Sequence, residues 1–158
     1  MAALADWVGA TPLSQLMRGN AWLYPVAETV HIIGFVLLVG AAAMFDVRLL
    51  GFGRLLAVRE LARHLLPWSM ASLLLVVPAG LLLFASQPAD MLGNRVFLLK
   101  LALIAAAGLN ALAFHLSPWW RTAPALLERV PPRARVHAAL SLLLWFGVIA
   151  CGRMLAYV

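Results

Sequence analysis

The chain has 158 residues, of which 65% are hydrophobic and only 11% are charged, and its mean hydropathy is +0.96. A soluble domain of this length cannot hide so much apolar surface, so the composition excludes an ordinary water-soluble fold and favours a bilayer environment. The net charge of +6 comes from arginines that stand between apolar runs, an arrangement that argues against a nucleic-acid partner and suits membrane orientation.

The first twenty residues predict a short helix at the membrane surface. They lack the basic start and the long apolar run of a signal peptide. Thr11 is a predicted N-cap with Pro12 in the first turn, and Leu13, Leu16 and Met17 fall on one helical face. We therefore expect an interfacial helix that leads into the first membrane span.

Four apolar segments are each long enough to cross a bilayer as a helix of ~20 residues. Short connections join them, so successive helices are expected to be antiparallel neighbours. The sequence thus predicts an all-α, integral membrane up-down four-helix bundle that forms a single domain over residues 1–158. The predicted spans cover residues 22–45, 65–85, 96–116 and 136–157.

The distribution of basic residues predicts the orientation. Most arginines lie in or beside the connections after the first and third spans, and the opposite side holds only Arg18, Arg95, Lys100 and Arg153. The positive-inside rule then places both termini outside, in the periplasm of a Gram-negative bacterium. We therefore expect a multi-pass protein of the bacterial inner membrane. The predicted cytoplasmic group comprises Arg48, Arg54, Arg59, Arg63, Arg121, Arg129, Arg133 and Arg135.

Ionisable residues inside a span are costly, and depth sorts those of this chain into two layers. The outer layer contains Glu28 and His31 on span one, Lys100 on span three and Arg153 on span four. Each lies roughly 6–14 Å inside the outer edge at ~1.5 Å per residue. In one interpretation, Glu28 pairs with Lys100 or Arg153 and holds the bundle together. In the other, the surplus positive charge binds an anionic group, such as a haem propionate or a quinone oxygen.

The inner layer contains three histidines from three spans, His64, His115 and His137. Imidazoles at one depth can ligate a metal or a haem iron. The alternative for each is an interfacial side chain that hydrogen-bonds a headgroup or a carbonyl, most of all for His64 and His137, which stand beside arginines. His31 lies too far inside the apolar region for that alternative.

Two further groups of residues receive structural interpretations. Asp46 and Arg48 are expected to form a local pair that ends the first helix, with Arg48 extending to the lipid headgroups. Glycines inside the spans, such as Gly34, Gly80 and Gly152, suit close helix packing, and no other role is expected of them.

Three stretches, WLYPVAETVHIIGFVLLVGAAAMFDVRLLG, NRVFLLKLALIAAAGLNALAFH and SLLLWFGVIACGRMLAYV, resemble an uncharacterised family of small bacterial four-helix integral membrane proteins. The resemblance covers residues 12–157 and implies no activity. More distantly, a membrane helix with an early VHIIG-type histidine looks like the membrane domain of copper-resistance D proteins and the bacterial four-helix protoporphyrinogen oxidase that binds haem b. Small four-helix cytochromes b also take histidine ligands from their bundle. The resemblance implies that the family-pattern positions are Glu28, His31, Asp46, Arg48, Lys100, Asn110, His115 and Arg153.

The first candidate function is a haem b protein that exchanges electrons with quinone or with membrane or periplasmic redox subunits. Either His31 is an axial ligand of an outer haem, or two of the three inner histidines hold an inner haem. Lys100 and Arg153 would neutralise propionates. His31 and His115 differ in depth by roughly 15 Å, too far to share one iron. The candidate metal ligands are His31, His115 and His137.

The second candidate function is a non-catalytic membrane subunit or a carrier of small anions or protons. Glu28, Lys100 and Arg153 would then form an intramembrane ion-pair cluster. An enzyme on a lipid-soluble substrate ranks last, because no nucleophile stands beside an activating base and no zinc-protease, phosphate-loop or dinucleotide motif is present. The single cysteine, Cys151, also excludes an intrachain disulfide framework.

Overall fold

A computed structural model of the chain describes residues 2–118, 120 and 130–157, and this part is helical, with no strand. Four of its helices are long and apolar enough to cross a membrane, which confirms the all-α prediction. These are α3 (Leu23–Leu50), α4 (Val58–Ser86), α6 (Arg95–Leu116) and α7 (Pro132–Met154). The short helices are α1 (Ala2–Gly9), α2 (Pro12–Gly19) and α5 (Pro88–Gly93).

The long helices and the predicted spans differ most at the first connection. α3 continues to Leu50 and ends at Gly51, whose φ of 111° lies in the left-handed region that favours glycine at helix ends. α4 begins at Val58, two turns before the predicted span, because Val58 and Ala62 turn into the core while Arg59 and its neighbours remain exposed. Hydropathy therefore located the apolar part of each long helix and missed the amphipathic start of α4.

The N-terminal helices pack at the end of the molecule that holds α5. α1 contacts α5, and α2 contacts α4. Thr11 caps α2, since its hydroxyl accepts a hydrogen bond from the Ser14 amide at 3.3 Å. The fully buried Ser14 hydroxyl donates to the Ala85 carbonyl at 2.6 Å, which attaches α2 to the C-terminal end of α4. α1 is an additional helix that the apolar pattern did not predict.

The long helices lie side by side in the order α4, α3, α7, α6. The pairs α3–α4, α3–α7 and α6–α7 make direct contact. Within the described residues, the backbones of α4 and α6 do not meet, although α5 joins them in the chain. One side-chain contact crosses this seam near α5, where the rings of Phe84 and Phe97 stack with centroids 6.0 Å apart. The four helices therefore enclose a cleft rather than a filled centre.

The best-packed part of the molecule lies at the opposite end, beside the α3–α4 connection. Side chains from all four long helices meet there, and aromatic rings pack against each other: the rings of Phe45 and Phe114 meet at 6.0 Å and those of Phe114 and Trp120 at 5.1 Å. This apolar cluster closes one end of the cleft. Its buried members are Phe45, Leu49, Val58, Ala62, Phe114, Val130, Ala134 and Ala138.

Candidate functional site

A cavity of about 2060 Å³ occupies the cleft between the four long helices. It exceeds the ~300–1,000 Å³ of most small-molecule sites, so it can hold a large ligand or more than one. Its wall is mainly apolar, and its polar side chains include two groups on the long helices. The outer group, near α5, contains Glu28, His31 and Lys100, and the inner group, near the apolar cluster, contains Asp46, Asn110, His115, His137 and Ser141.

His31 is fixed by a neighbouring helix. Its Nδ1 lies 2.9 Å from the carbonyl oxygen of Val76 on α4. Because a carbonyl only accepts hydrogen bonds, Nδ1 carries the proton, and the neutral ring keeps a lone pair on Nε2. No described residue forms a hydrogen bond with Nε2. The ring of this cavity-lining residue is therefore held in one orientation, and its Nε2 is an acceptor without a partner in the described chain.

The position of the His31 ring depends on a glycine of α4. A Cβ atom on Gly80 would lie 3.1 Å from His31 Cε1, closer than side chains normally pack. Gly34 of α3 likewise permits close approach, since a Cβ there would lie 2.8 Å from that of Leu75. The sequence predicts only a packing role for these glycines. In the structure, the absence of a side chain at Gly80 also leaves room for the His31 imidazole.

Lys100 extends from α6 toward α7. Its Nζ lies 3.8 Å from the point where a Cβ on Gly152 would stand. Among the described residues, the only ion pair within 4.0 Å is that of Glu60 and Arg63, both exposed. Glu28 and Lys100 therefore line one cavity without a direct ion pair, and the described residues leave the ammonium without a carboxylate partner.

Arg153 is placed outside the cavity. Its side chain is exposed and donates a hydrogen bond to the Tyr157 hydroxyl on the following turn. The guanidinium also lies over the Tyr157 ring, 4.7 Å from the centroid. The structure thus places Glu28, His31 and Lys100 on the wall of one cavity and leaves Arg153 at the surface.

Asn110 and His137 form a reciprocal pair between α6 and α7. The Asn110 amide nitrogen donates to the His137 carbonyl at 2.9 Å, and the Asn110 Oδ1 lies 2.7 Å from His137 Nδ1. The carbonyl fixes which side of the amide faces it, so Oδ1 faces the ring and Nδ1 carries the proton. His137 Nε2 is then an acceptor with no hydrogen-bond partner among the described residues.

The three inner histidines do not converge. His115 Nδ1 bonds the Ala111 carbonyl of its own helix at 2.8 Å, and the Phe114 ring contacts both His115 and His137. His64 is exposed on α4 and does not line the cavity. Within residues 2–118, 120 and 130–157, no group of three or more histidine, cysteine, aspartate or glutamate residues could hold a metal ion.

Asp46 and Arg48 do not form the expected local pair. Arg48 is 6% exposed and points into the following connection, where its Nε donates to the Leu56 carbonyl at 2.6 Å and its Nη2 to that of Arg54 at 3.4 Å. Asp46, also 6% exposed, turns to the cavity beside Ser141. Residues two apart on a helix point in different directions, so the spacing itself argued against the pair.

Asp46 contributes a buried oxygen to the cavity wall. Its Oδ2 is buried and has no hydrogen-bond partner within the described residues. A buried oxygen in this state costs free energy unless another group supplies a donor. The sequence interpretation missed both this feature and Ser141 as its neighbour.

Two of the predicted cytoplasmic arginines, Arg121 and Arg129, lie outside the described residues. Arg59 and Arg63 line the inner end of the cavity. No family model, curated protein or solved structure matches the chain.

Proposed function

We propose that the protein is an inner-membrane, up-down four-helix bundle that binds haem b in its cavity and exchanges electrons with quinone or a redox partner. The observation that carries the proposal is the anchored His31 ring, whose Nε2 stands free at the wall of a cavity large enough for a porphyrin.

The surface of the long helices supports a bilayer environment. Their outward faces carry large apolar side chains, with exposed fractions of 78% for Leu74, 69% for Leu143 and 66% for Leu109. Such faces would be unstable in water and are compatible with lipid chains. Antiparallel contacts along α3–α4, α3–α7 and α6–α7 support the up-down arrangement.

The surroundings of His31 match those of histidines that ligate metals. Such a ring usually donates its second N–H to a carboxylate or a backbone carbonyl, which fixes the tautomer and the orientation of the ligating nitrogen. The bond from His31 Nδ1 to the Val76 carbonyl supplies this restraint, and Gly80 supplies the space. His31 would therefore hold the iron through Nε2.

Lys100 complements the histidine. A haem b carries two propionates, and the ammonium of Lys100, without a carboxylate partner in the described chain, offers a charge-assisted hydrogen bond to one of them. Arg153, which faces Tyr157, is no longer part of this proposal. When bound, haem b supplies one-electron redox chemistry, and this chain's residues hold and orient the group.

The proposal is tested by absorption spectroscopy of the protein purified in mild detergent. We expect a reduced-minus-oxidised spectrum with a b-type α-band at near-stoichiometric haem. The His31→Ala variant should lose the band, whereas His64→Ala, which changes an exposed histidine outside the cavity, should keep it. A colourless wild-type protein from haem-supplemented cells would refute haem binding, and an unchanged band in His31→Ala would refute the ligand assignment.

One observation favours the second function, a non-catalytic subunit or a small-anion carrier. Lys100 is a cation at a cavity wall with no carboxylate within 4.0 Å among the described residues, so it can attract an anion other than a propionate. If the protein is colourless, anion efflux from proteoliposomes distinguishes an anion carrier from a non-catalytic subunit. A carrier should show efflux that Lys100→Met abolishes, and a structural subunit should show none.

A further inference from the structure

We infer that the inner end of the cavity is a separate binding site for a lipid-soluble aromatic diol of the hydroquinone class, with Asp46 and His137 as hydrogen-bond acceptors. This inference rests on the proposed electron exchange with quinone and names the residues that would recognise the reduced carrier. It concerns binding alone.

The polar groups of the inner end favour a ligand that donates hydrogen bonds. Asp46 has a buried oxygen without a partner in the described chain, and His137 presents Nε2 as an acceptor because Asn110 holds the proton on Nδ1. A diol has two O–H donors and can satisfy both groups. A ligand that has only acceptors, such as an ether, leaves them unsatisfied.

Asp46 distinguishes this end from ordinary helix-to-helix bonding. The hydrogen bonds between Asn110 and His137 join α6 to α7, and this role accounts for both side chains without a ligand. The Asp46 carboxyl is 6% exposed and lines the cavity, where the Ser141 hydroxyl of α7 can donate to one of its oxygens. Its other oxygen, the buried Oδ2, has no partner within the described residues, which is unfavourable, so its position points to a ligand.

The walls around these groups favour an aromatic head group with an apolar tail. The rings of Phe45, Phe114 and Trp120 line the same end of the cavity and can contact a planar ring at its face or edge. Leu73 of α4 and Ile104 of α6 line the cavity on either side of the seam between these helices. An alkyl tail attached to the ring would extend out of the cavity through this seam, with apolar side chains on both sides.

The inner and outer groups are far enough apart for two ligands. Asn110 follows Lys100 by ten residues on α6, a rise of ~15 Å. The cavity volume of about 2060 Å³ also exceeds the space of one ordinary ligand. A diol at Asp46 and a haem at His31 are therefore compatible.

The test measures the affinity of the full-length protein in detergent for decylhydroquinone under anaerobic conditions, by quenching of tryptophan fluorescence. The wild-type protein should bind the diol at least about tenfold more tightly than its dimethyl ether, which lacks the two donors. Asp46→Leu should weaken diol binding by about tenfold and leave ether binding unchanged. Asp6→Leu is the matched control, because Asp6 is exposed on α1.

Three results would overturn the inference: no binding of the diol, equal affinity for diol and ether, or unchanged diol affinity in Asp46→Leu. If Asp46→Leu fails to fold, Asp46→Asn keeps the volume and should still weaken diol binding severalfold. The haem proposal and the diol inference can each fail without the other. We expect Asp46→Leu to keep the haem α-band, and His31→Ala to keep its diol affinity within about twofold.

Discussion

At the scale of single residues, one missing methyl group determines where the His31 ring can lie. In Gly80→Ala, the new Cβ would stand 3.1 Å from His31 Cε1, so the ring must move from the Val76 carbonyl or α4 must shift. We expect the free energy of unfolding to fall by about 1–3 kcal/mol, as for other overpacked sites. Denaturation in detergent, followed by circular dichroism, measures the loss.

Gly40→Ala is the matched control for that substitution. A Cβ at this position of α3 would meet nothing within 4 Å, so the same change should leave stability unchanged or raise it slightly. If both variants unfold at the same temperature, the contact between Gly80 and His31 has no energetic weight.

The Asn110–His137 pair allows a second measurement at the residue scale. Hydrogen bonds between membrane helices average about 0.6 kcal/mol and reach about 1.7 kcal/mol. A double-mutant cycle with Asn110→Leu and His137→Phe should give a coupling free energy within that range, because both side chains take part in the 2.7 Å contact. A coupling energy of zero would show that the contact does not stabilise the fold.

At the scale of helices, Arg48 fixes the connection between α3 and α4. Its guanidinium donates hydrogen bonds to the Leu56 and Arg54 carbonyls, so this buried side chain holds the connection in its observed conformation. In Arg48→Met, we expect the connection to open and the free energy of unfolding to fall by about 1.5–3 kcal/mol. Limited proteolysis should then cut the connection faster than in the wild-type protein.

Arg54→Met is the control at the same connection. This side chain is exposed and, among the described residues, bonds only the Gly51 carbonyl, at 3.2 Å, while its own backbone carbonyl remains available to Arg48. Its proteolysis rate should stay close to that of the wild type. Faster cleavage of Arg54→Met than of Arg48→Met would contradict the assignment.

The helices themselves were predictable from the sequence because each contains a long apolar run. The first two turns of α4 were not predicted, because Val58 and Ala62 are inward positions of an amphipathic segment that contains charged residues. The absence of a pair between Asp46 and Arg48 could have been predicted, because side chains two residues apart on a helix point in different directions. The contact of His31 with Val76 and Gly80 could not, because it depends on the register between α3 and α4, which no local pattern contains.

At the scale of the whole molecule, the orientation in the membrane stays a prediction that cysteine labelling can test. In a Cys151→Ser background, Leu55→Cys reports the α3–α4 connection and Ala89→Cys reports α5, both at exposed positions. The arginine distribution predicts that a membrane-impermeant maleimide labels position 89 in intact cells and position 55 only after lysis. The reverse pattern would place both termini in the cytoplasm.

The seam between α4 and α6 also has a consequence for the biogenesis of the protein. α3 with α4 and α6 with α7 are two hairpins whose internal contacts are local in the sequence. Among the long helices, the backbone contacts between the hairpins in the described residues are those of α3 with α7, and a few aromatic side chains add to them. The ring contact of Phe35 with Trp145, at 6.0 Å, lies in that shared interface. In the proposed membrane bundle, each hairpin can therefore enter the bilayer as a unit during synthesis, and the cavity arises only in the last step, when the second hairpin docks against the first.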